Sequence, residues 1–387
     1  MQALGLSDDL AAVASGHVKD GSHTMHIRKS DEKEDIPFAH MEQSGGTSFH
    51  RSHLLGCLRK HIPDSCHIYF DKRLESYTKL PTGDFRLAFK DGTQATHDLV
   101  VGCDGVRSTV RALLYRSLAE QAERAGEQPK ASEYASKADP VWSGNIAYRG
   151  LAPRAVLEEA VPNHPAFAGG VFLLGKDKHI ILYPIAQGKF VNVVALVSRQ
   201  KLEGTQYAAS WIREAGKEDV LSEYHGWEPM VTATLKAMER TDLWAINVVP
   251  NLPTYVGDGI ALVGDAAHAM TTHLGAGAGQ AVEDAFVLAS LLVHPTATAK
   301  TLAYALRAYD EVRRPLTQWV VERSRECGLT EEFNMLPSTG DEGVRDPERD
   351  LQQVVERMKE LFSWAKETSA IADRDKAMAM FEAALVS

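Results

Sequence analysis

Runs of apolar residues alternate with turn-rich stretches along most of the chain, and their lengths separate strands from helices. Gly170-Val171-Phe172-Leu173-Leu174, His179-Ile180-Ile181-Leu182-Tyr183-Pro184 and Phe190-Val191-Asn192-Val193-Val194-Ala195-Leu196 are short, apolar and closely spaced. They predict an antiparallel sheet with short connections between 142 and 241. Further strands are expected over 85–90 and 99–102, and a helix over 52–61. Residues 117–138 are rich in Glu, Ala, Gln and Lys and contain Gly126 and Pro129, which reads as a surface helix and loop. Near the end, Asp346-Pro347-Glu348 offers an N-cap followed by proline at the first helical position. Val354, Met358, Leu361, Phe362 and Ala365 then recur at helical spacing. This predicts a helix packed on the body of the protein, with a homodimer contact as the alternative.

With 387 residues and 44% hydrophobic content, the chain is long enough for two domains or one large one. A net charge of −10 and the lack of a basic stripe argue against a nucleic-acid partner. The four cysteines, Cys57, Cys66, Cys103 and Cys327, are scattered without C-x-x-C spacing, so neither a zinc site nor a disulfide framework is indicated and a reducing, cytoplasmic setting is expected. The longest apolar run, around 285–293, is too short for a transmembrane segment. Of the fifteen histidines, His23 with His26 and His50 with His53 have helical pair spacing. No carboxylate or cysteine joins them at ligand spacing, and Thr24-Met25-His26-Ile27 reads better as strand, so no metal is expected.

The most specific chemistry lies in Gly257-Asp258-Gly259-Ile260-Ala261-Leu262-Val263-Gly264-Asp265-Ala266-Ala267-His268, running into Gly275-Ala276-Gly277-Ala278-Gly279-Gln280. A turn precedes a short buried strand, an aspartate stands at its carboxyl end, and glycines open an apolar helix. Asp265 can accept hydrogen bonds from ribose-like hydroxyls, and glycines at a helix N-terminus let backbone N–H groups approach an anion. Taken alone, the glycines fit a softened turn before a core helix equally well. A second segment, His97-Asp98-Leu99-Val100-Val101-Gly102-Cys103-Asp104-Gly105-Val106-Arg107-Ser108-Thr109-Val110-Arg111, repeats the strand, Gly and Asp-Gly order, with Ser108 as a candidate N-cap and two arginines, Arg107 and Arg111, nearby. Two strand-end aspartates in one chain suggest one ligand site.

Together these segments closely resemble the single-component FAD-dependent aromatic hydroxylases, within them the salicylate-hydroxylase-like branch. The resemblance places the family's Asp-Gly fingerprint, which touches FAD and the nicotinamide cofactor NAD(P)H, on Asp104, Gly105, Arg107 and Ser108. It implies that Gly264 and Asp265 meet the flavin ribityl chain, and that Gly275, Gly277, Ala278 and Gly279 line the cofactor. Thr47-Ser48-Phe49-His50-Arg51 resembles the family's His-Arg helix start, where Arg51 would approach FAD. Trp142-Ser143-Gly144-Asn145-Ile146-Ala147-Tyr148-Arg149-Gly150, Tyr183-Pro184-Ile185 and Tyr309-Asp310-Glu311-Val312-Arg313-Arg314-Pro315 belong to the same resemblance, which extends to about Cys327. The implied fold is α/β: an FAD-binding Rossmann-like domain over 1–115 and 245–330, an antiparallel-sheet substrate domain over 141–244, and a helical tail over 340–387.

Two departures stand out. Family members begin with a strand, a G-x-G-x-x-G turn and a helix that bind the ADP half of FAD, whereas this chain opens at Met1-Gln2-Ala3-Leu4, which resembles a later segment. A truncated gene model is the expectation, with a fragment or a diverged, FAD-deficient protein as alternatives. The family also often carries proline before the glycine cluster, where this chain has Thr271-Thr272-His273; a looser loop and a wetter cavity are expected.

The implied reaction is hydroxylation of a small aromatic substrate by O2 with NAD(P)H as reductant. Salicylate-like substrates require a cation for the carboxylate and a group that handles the phenolic proton. Arg149 and His273 are the candidates, set against plainer readings in which Arg149 forms a salt bridge near the domain junction and His273 caps the following helix. The rival functions are a monooxygenase or epoxidase acting on a larger secondary metabolite, and a non-catalytic remnant that binds a ligand or partner.

Overall fold

A computed structural model describes residues 2–13, 22–32, 36–44, 51–336 and 346–386, and the chain divides into two compact units. The first comprises Met1–Ile62, Trp142–Ile246 and Glu326–Glu367; the second comprises Pro63–Val141, Asn247–Arg325 and Thr368–Ser387.

An eight-stranded sheet organises the first unit. Its order is Ile212–Ala215, Thr241–Val248, Val141–Pro153, Phe190–Ser198, Lys178–Ile185, Gly170–Gly175, Ser22–Lys29 and Ala39–Ser44. The three central apolar runs form adjacent antiparallel strands, with Val194 opposite both Arg149 and Ile181. The sheet is not wholly antiparallel, because Ser22–Lys29 pairs parallel with Gly170–Gly175. That pairing also takes Ser22–Lys29 and Ala39–Ser44 out of the single block expected over 1–115. Their alternation marks them as strands, but the partner edge lies far along the chain.

Gly170–Gly175 is buried at every position, and its two faces enter different cores. Val171 and Leu173 pack with Ile180, Leu182, Val193 and Ala195, whereas Phe172 and Leu174 pack with Met25, Ile27 and the helix Pro347–Phe362. A strand covered on both faces needs a continuous apolar run rather than alternation, as the sequence shows. Asp346 caps the covering helix, accepting from Glu348 N at 3.0 Å. Leu351, Val354, Val355 and Met358 spend the apolar face inside this chain's own core, which supports the packing reading of the helix. The rest of the expected tail diverges from it: Ala377 and Phe381, on the helix Ala370–Val386, pack in the core of the second unit.

In the second unit, Val100–Gly102 and Ile260–Leu262 are parallel neighbours, with Gly102 opposite Leu262. The strands Leu74–Lys79, Phe85–Phe89 and Gln94–His97 form a separate antiparallel sheet. Residues 117–138 form most of a helical hairpin, Thr109–Arg124 and Gln128–Ser136, rather than a surface helix and loop. Ala119, Ala122 and Ala131 are buried in it; small apolar residues let the two helices approach closely and are easily mistaken for surface helix formers.

Candidate active site

The parallel pair brings the two aspartate-bearing turns to the same sheet edge, since Asp104 follows Gly102 and Asp265 follows the paired Leu262. Ligands of open α/β sheets sit beyond the carboxyl ends of such strands. Asp265 is exposed while Gly264 and Ala266 beside it are buried. Gly264 turns the chain with φ 62°, a left-handed conformation that favours glycine. Its N–H donates to Asp284 Oδ2 at 3.0 Å, which fixes the turn that presents Asp265.

The helix Gly277–Leu292 starts close by, with Ala276 at the N-cap and no side-chain cap. Gln280 N donates to Ala276 O, leaving the N–H groups of Gly277, Ala278 and Gly279 ahead of the first intrahelical bond. A Cβ added at Gly277 would lie 3.9 Å from Asp265 Oδ1, and one added at Gly275 or Gly279 would meet nothing within 4 Å. The glycines therefore leave bare backbone beside open space, next to an exposed carboxylate. These donors and this acceptor fit an anionic, hydroxyl-bearing cofactor such as FAD.

Asp104 plays a different part from Asp265. Its carboxylate accepts from Thr109 N at 2.7 Å, from Val110 N at 3.1 Å and from the Ser108 hydroxyl, so it holds the N-terminus of the helix Thr109–Arg124. Ser108 is the N-cap, accepting from Arg111 N at 2.9 Å. Gly105 adopts φ 78° with open space around its missing Cβ, and Arg107 is exposed.

Two further residues matter here: the first drew no attention in the sequence, and the second was noted there only as an arginine near the Asp-Gly turn. Asp284, fully buried, accepts from His268 Nε2 at 2.5 Å and from Arg313 Nε at 2.9 Å as well as from Gly264 N. Arg313, also fully buried, further donates to Asp373 at 2.5 Å and to Gln280 Oε1 at 2.8 Å. Arg111 is the second: it donates to the carbonyls of Val106 at 2.7 Å, Ala266 at 3.0 Å and Ala138 at 3.3 Å. The available signals were an acidic pair inside an otherwise apolar helix and an arginine three residues past an N-cap.

His273 is buried at 4% exposure in the loop that precedes the glycine helix. It does not cap that helix, whose N-cap is Ala276. Contrary to the expectation of a loose loop, Thr271 Oγ1 donates to Ser324 Oγ at 3.0 Å, Ser324 Oγ donates to Thr271 O at 2.7 Å, and Gly275 N donates to Thr272 O at 3.0 Å.

Arg51 and Arg149 belong to the first unit. Arg51 opens the helix Arg51–Arg59 and is exposed; Thr47, Ser48, Phe49 and His50, expected to lead into it, lie outside the described residues. Arg149, on Val141–Pro153, makes no ion pair among the described residues, and its guanidinium lies over the Trp244 ring at 5.3 Å. The salt-bridge reading is therefore replaced by stacking. The strand registers put Arg149, Leu151, Ile181 and Tyr183 on one face, opposite to that of Val193 and Leu182. Arg149, Leu151 and Tyr183 are exposed there. Tyr183 is only 36% exposed, and this partial burial raises its phenol above the ordinary range, with the Arg149 charge pulling the other way. This face offers a cation and aromatic surface together. Further along it, His179 is enclosed by Glu331 at 3.2 Å and Glu332 at 3.1 Å, and burial pushes the Glu331 carboxyl up to about 7 against the opposing pull of His179.

Comparison with known proteins decides the family. Residues 171–324 match the family model of the FAD binding domain. An FAD-dependent monooxygenase of Strobilurus tenacellus is 32% identical over 94% of this chain and 82% of its own length. A salicylate hydroxylase of Pseudomonas putida is 34% identical over 83% of this chain and 69% of its own length. The chain belongs to the FAD-dependent aromatic hydroxylase family. It spans 63% of a second Pseudomonas putida salicylate hydroxylase, at 37% identity. A solved salicylate hydroxylase substrate complex superposes with TM-score 0.82 at 28% identity, covering 97% of this chain and 87% of that one. No helix among the described residues is long and apolar enough to cross a membrane.

Proposed function

We propose that this hydroxylase acts on a small aromatic acid of the salicylate class, with FAD, O2 and NADH or NADPH, in the cytoplasm. The observation that carries the cofactor assignment is the exposed Asp265 carboxylate beside bare glycine backbone at the start of a 16-residue helix. Relatives named salicylate hydroxylase and 6-methylsalicylate 1-monooxygenase support the substrate class. No disulfide joins any of the four cysteines, which favours a reducing compartment.

When bound, FAD supplies the redox and oxygen chemistry. The residues of this chain hold and orient. Asp265 would accept from the ribityl hydroxyls, and the N–H groups of Gly277, Ala278 and Gly279 would face negative charge, where the helix dipole favours it. Arg149 would pair with the substrate carboxylate, its guanidinium plane kept in place by Trp244. Gly105, Arg107 and Arg51 are proposed contacts of the cofactors, with Asp104 shaping their turn. His273 is proposed to meet the substrate or the reacting face of the flavin.

Reduced-nicotinamide oxidation is expected to be stimulated by hydroxybenzoates, with hydroxylated product formed. Arg149→Ala should raise the apparent Kd for salicylate by roughly 10- to 150-fold, the loss of a charge-assisted contact of about 1.5–3 kcal/mol. Equal affinity in the variant removes Arg149 from recognition, and stimulation only by large polycyclic phenols favours the secondary-metabolite reading.

Asp265→Ala is expected to weaken FAD by a similar 10- to 150-fold, roughly 1.5–3 kcal/mol for a charged acceptor. Flavin titration by fluorescence measures this directly. An unaltered Kd would assign the ribityl contact elsewhere.

A further inference from the structure

We propose that Asp9, Cys57 and His61 form a site for a divalent cation of the zinc class in the first unit. The helices Ser7–Val13 and Arg51–Arg59 pack through Leu6, Leu10 and Cys57, with Leu54 and Leu58 alongside. Cys57 lies in that seam at 3% exposure. Asp9 and His61 stand at its solvent edge, with side chains 41% and 44% exposed and Asp9 Oδ2 at 2.7 Å from His61 Nε2. The chain keeps turning past the helix end, since Lys60 N donates to Cys57 O and His61 N donates to Leu58 O. This turn brings the His61 ring back beside Cys57 and Asp9.

One ligand atom from each of the three residues lies within 4.8 Å of the others. Zinc holds sulfur at about 2.3 Å and nitrogen or oxygen at about 2.0–2.2 Å, so tetrahedral ligands stand roughly 3.3–3.8 Å apart. Side-chain rotation of about an ångström closes the set around one ion. The Asp9 carboxylate and His61 imidazole approach from the exposed side, leaving the fourth position to water. A thiolate, an imidazole and a carboxylate together suit zinc or cobalt(II) rather than calcium or magnesium, which prefer oxygen alone. Without a metal, the Asp9–His61 pair is an exposed contact of small worth. With one, the short first helix is clamped to the second, and the Cys57 thiol gives up its proton.

The test is titration of the whole protein with cobalt(II), recorded as a difference spectrum at constant flavin loading. One equivalent should produce a near-ultraviolet thiolate-to-cobalt charge-transfer band, removed by zinc. The band should vanish in Cys57→Ser. His61→Ala and Asp9→Asn, both at solvent-exposed positions, should weaken cobalt(II) by about tenfold or more while the circular dichroism stays unchanged. Absence of the band at saturation overturns the site. So does a band that survives Cys57→Ser, or affinity unmoved by both His61→Ala and Asp9→Asn; those two edge variants keep the test decisive if the serine variant does not fold.

Discussion

Replacing Asp284 with asparagine should lower the stability of the fold by about 3–5 kcal/mol, because it breaks a buried ion pair from one side and leaves the partner charge uncompensated. Arg313 keeps Asp373 and a 3.2 Å contact with Glu283, so the lower end of that range is expected. The asparagine can keep one acceptor, but it cannot serve Gly264 N, His268 and Arg313 together as the carboxylate does. The effect should reach the cofactor too, since the Gly264 turn that presents Asp265 loses its anchor. Urea unfolding gives the stability change as a shift in midpoint at constant slope. A loss below about 1 kcal/mol would show that the network relaxes without Asp284.

The same residue sets an acid dependence. Burial alone would raise the Asp284 carboxyl, but His268 and Arg313 outweigh it and hold the group below its ordinary range. A carboxylate whose folded pKa is depressed gives its full stabilisation above the unfolded value of about 3.9 and loses it as the pH falls through the folded value. The wild-type protein should therefore lose stability steeply below about pH 4, with a flatter curve for Asp284→Asn.

The sequence showed those parts of the site whose chemistry is local. Asp265 stands next to its own strand and turn, and the glycines precede their own helix, so the segment 257–280 carried the reading by itself. Ser108 as an N-cap is local in the same sense. What remained hidden is closed by contacts across the chain: Arg111 meets Ala266 over 155 residues, and Arg313 meets Asp284 over 29. The stretch Tyr309-Asp310-Glu311-Val312-Arg313-Arg314-Pro315 supported the family resemblance, yet its work in the structure is support. Tyr309 Oη donates to Leu262 O at 2.8 Å, and Asp310 accepts from Tyr255 N at 2.6 Å. The strand Ser22–Lys29 was legible as a strand but not as a parallel neighbour of Gly170–Gly175, because period-two alternation states which face is buried and not which edge is paired. Asp104 was legible in place but not in its local role: an aspartate after a strand can serve a ligand or the following helix, and only the backbone path shows that Thr109 and Val110 donate to it.

Arg111→Met should cost on the order of 4 kcal/mol, although methionine fills much of the same volume. The guanidinium is fully buried, and its three hydrogen bonds go to backbone carbonyls rather than to a carboxylate. Burial lowers its pKa, with Asp104 and Asp139 opposing from nearby. Removing it leaves the carbonyls of Val106, Ala138 and Ala266 without that donor, at about 1–3 kcal/mol for each buried group left unsatisfied. Relief of the buried charge offsets part of this, which keeps the net below the sum. Arg111→Lys separates charge from geometry. Lysine brings the same charge on a single ammonium, which cannot reproduce the planar fork that reaches three segments at once. If the fork matters, the lysine variant should lose most of the stability that methionine loses, and its flavin should bind more weakly because Ala266 directly follows Asp265. If lysine restores the wild-type unfolding midpoint, a positive charge at this point is sufficient and the three-way tie between the turn at Val106, the end of the helical hairpin and the Asp265 loop is not what holds the site together.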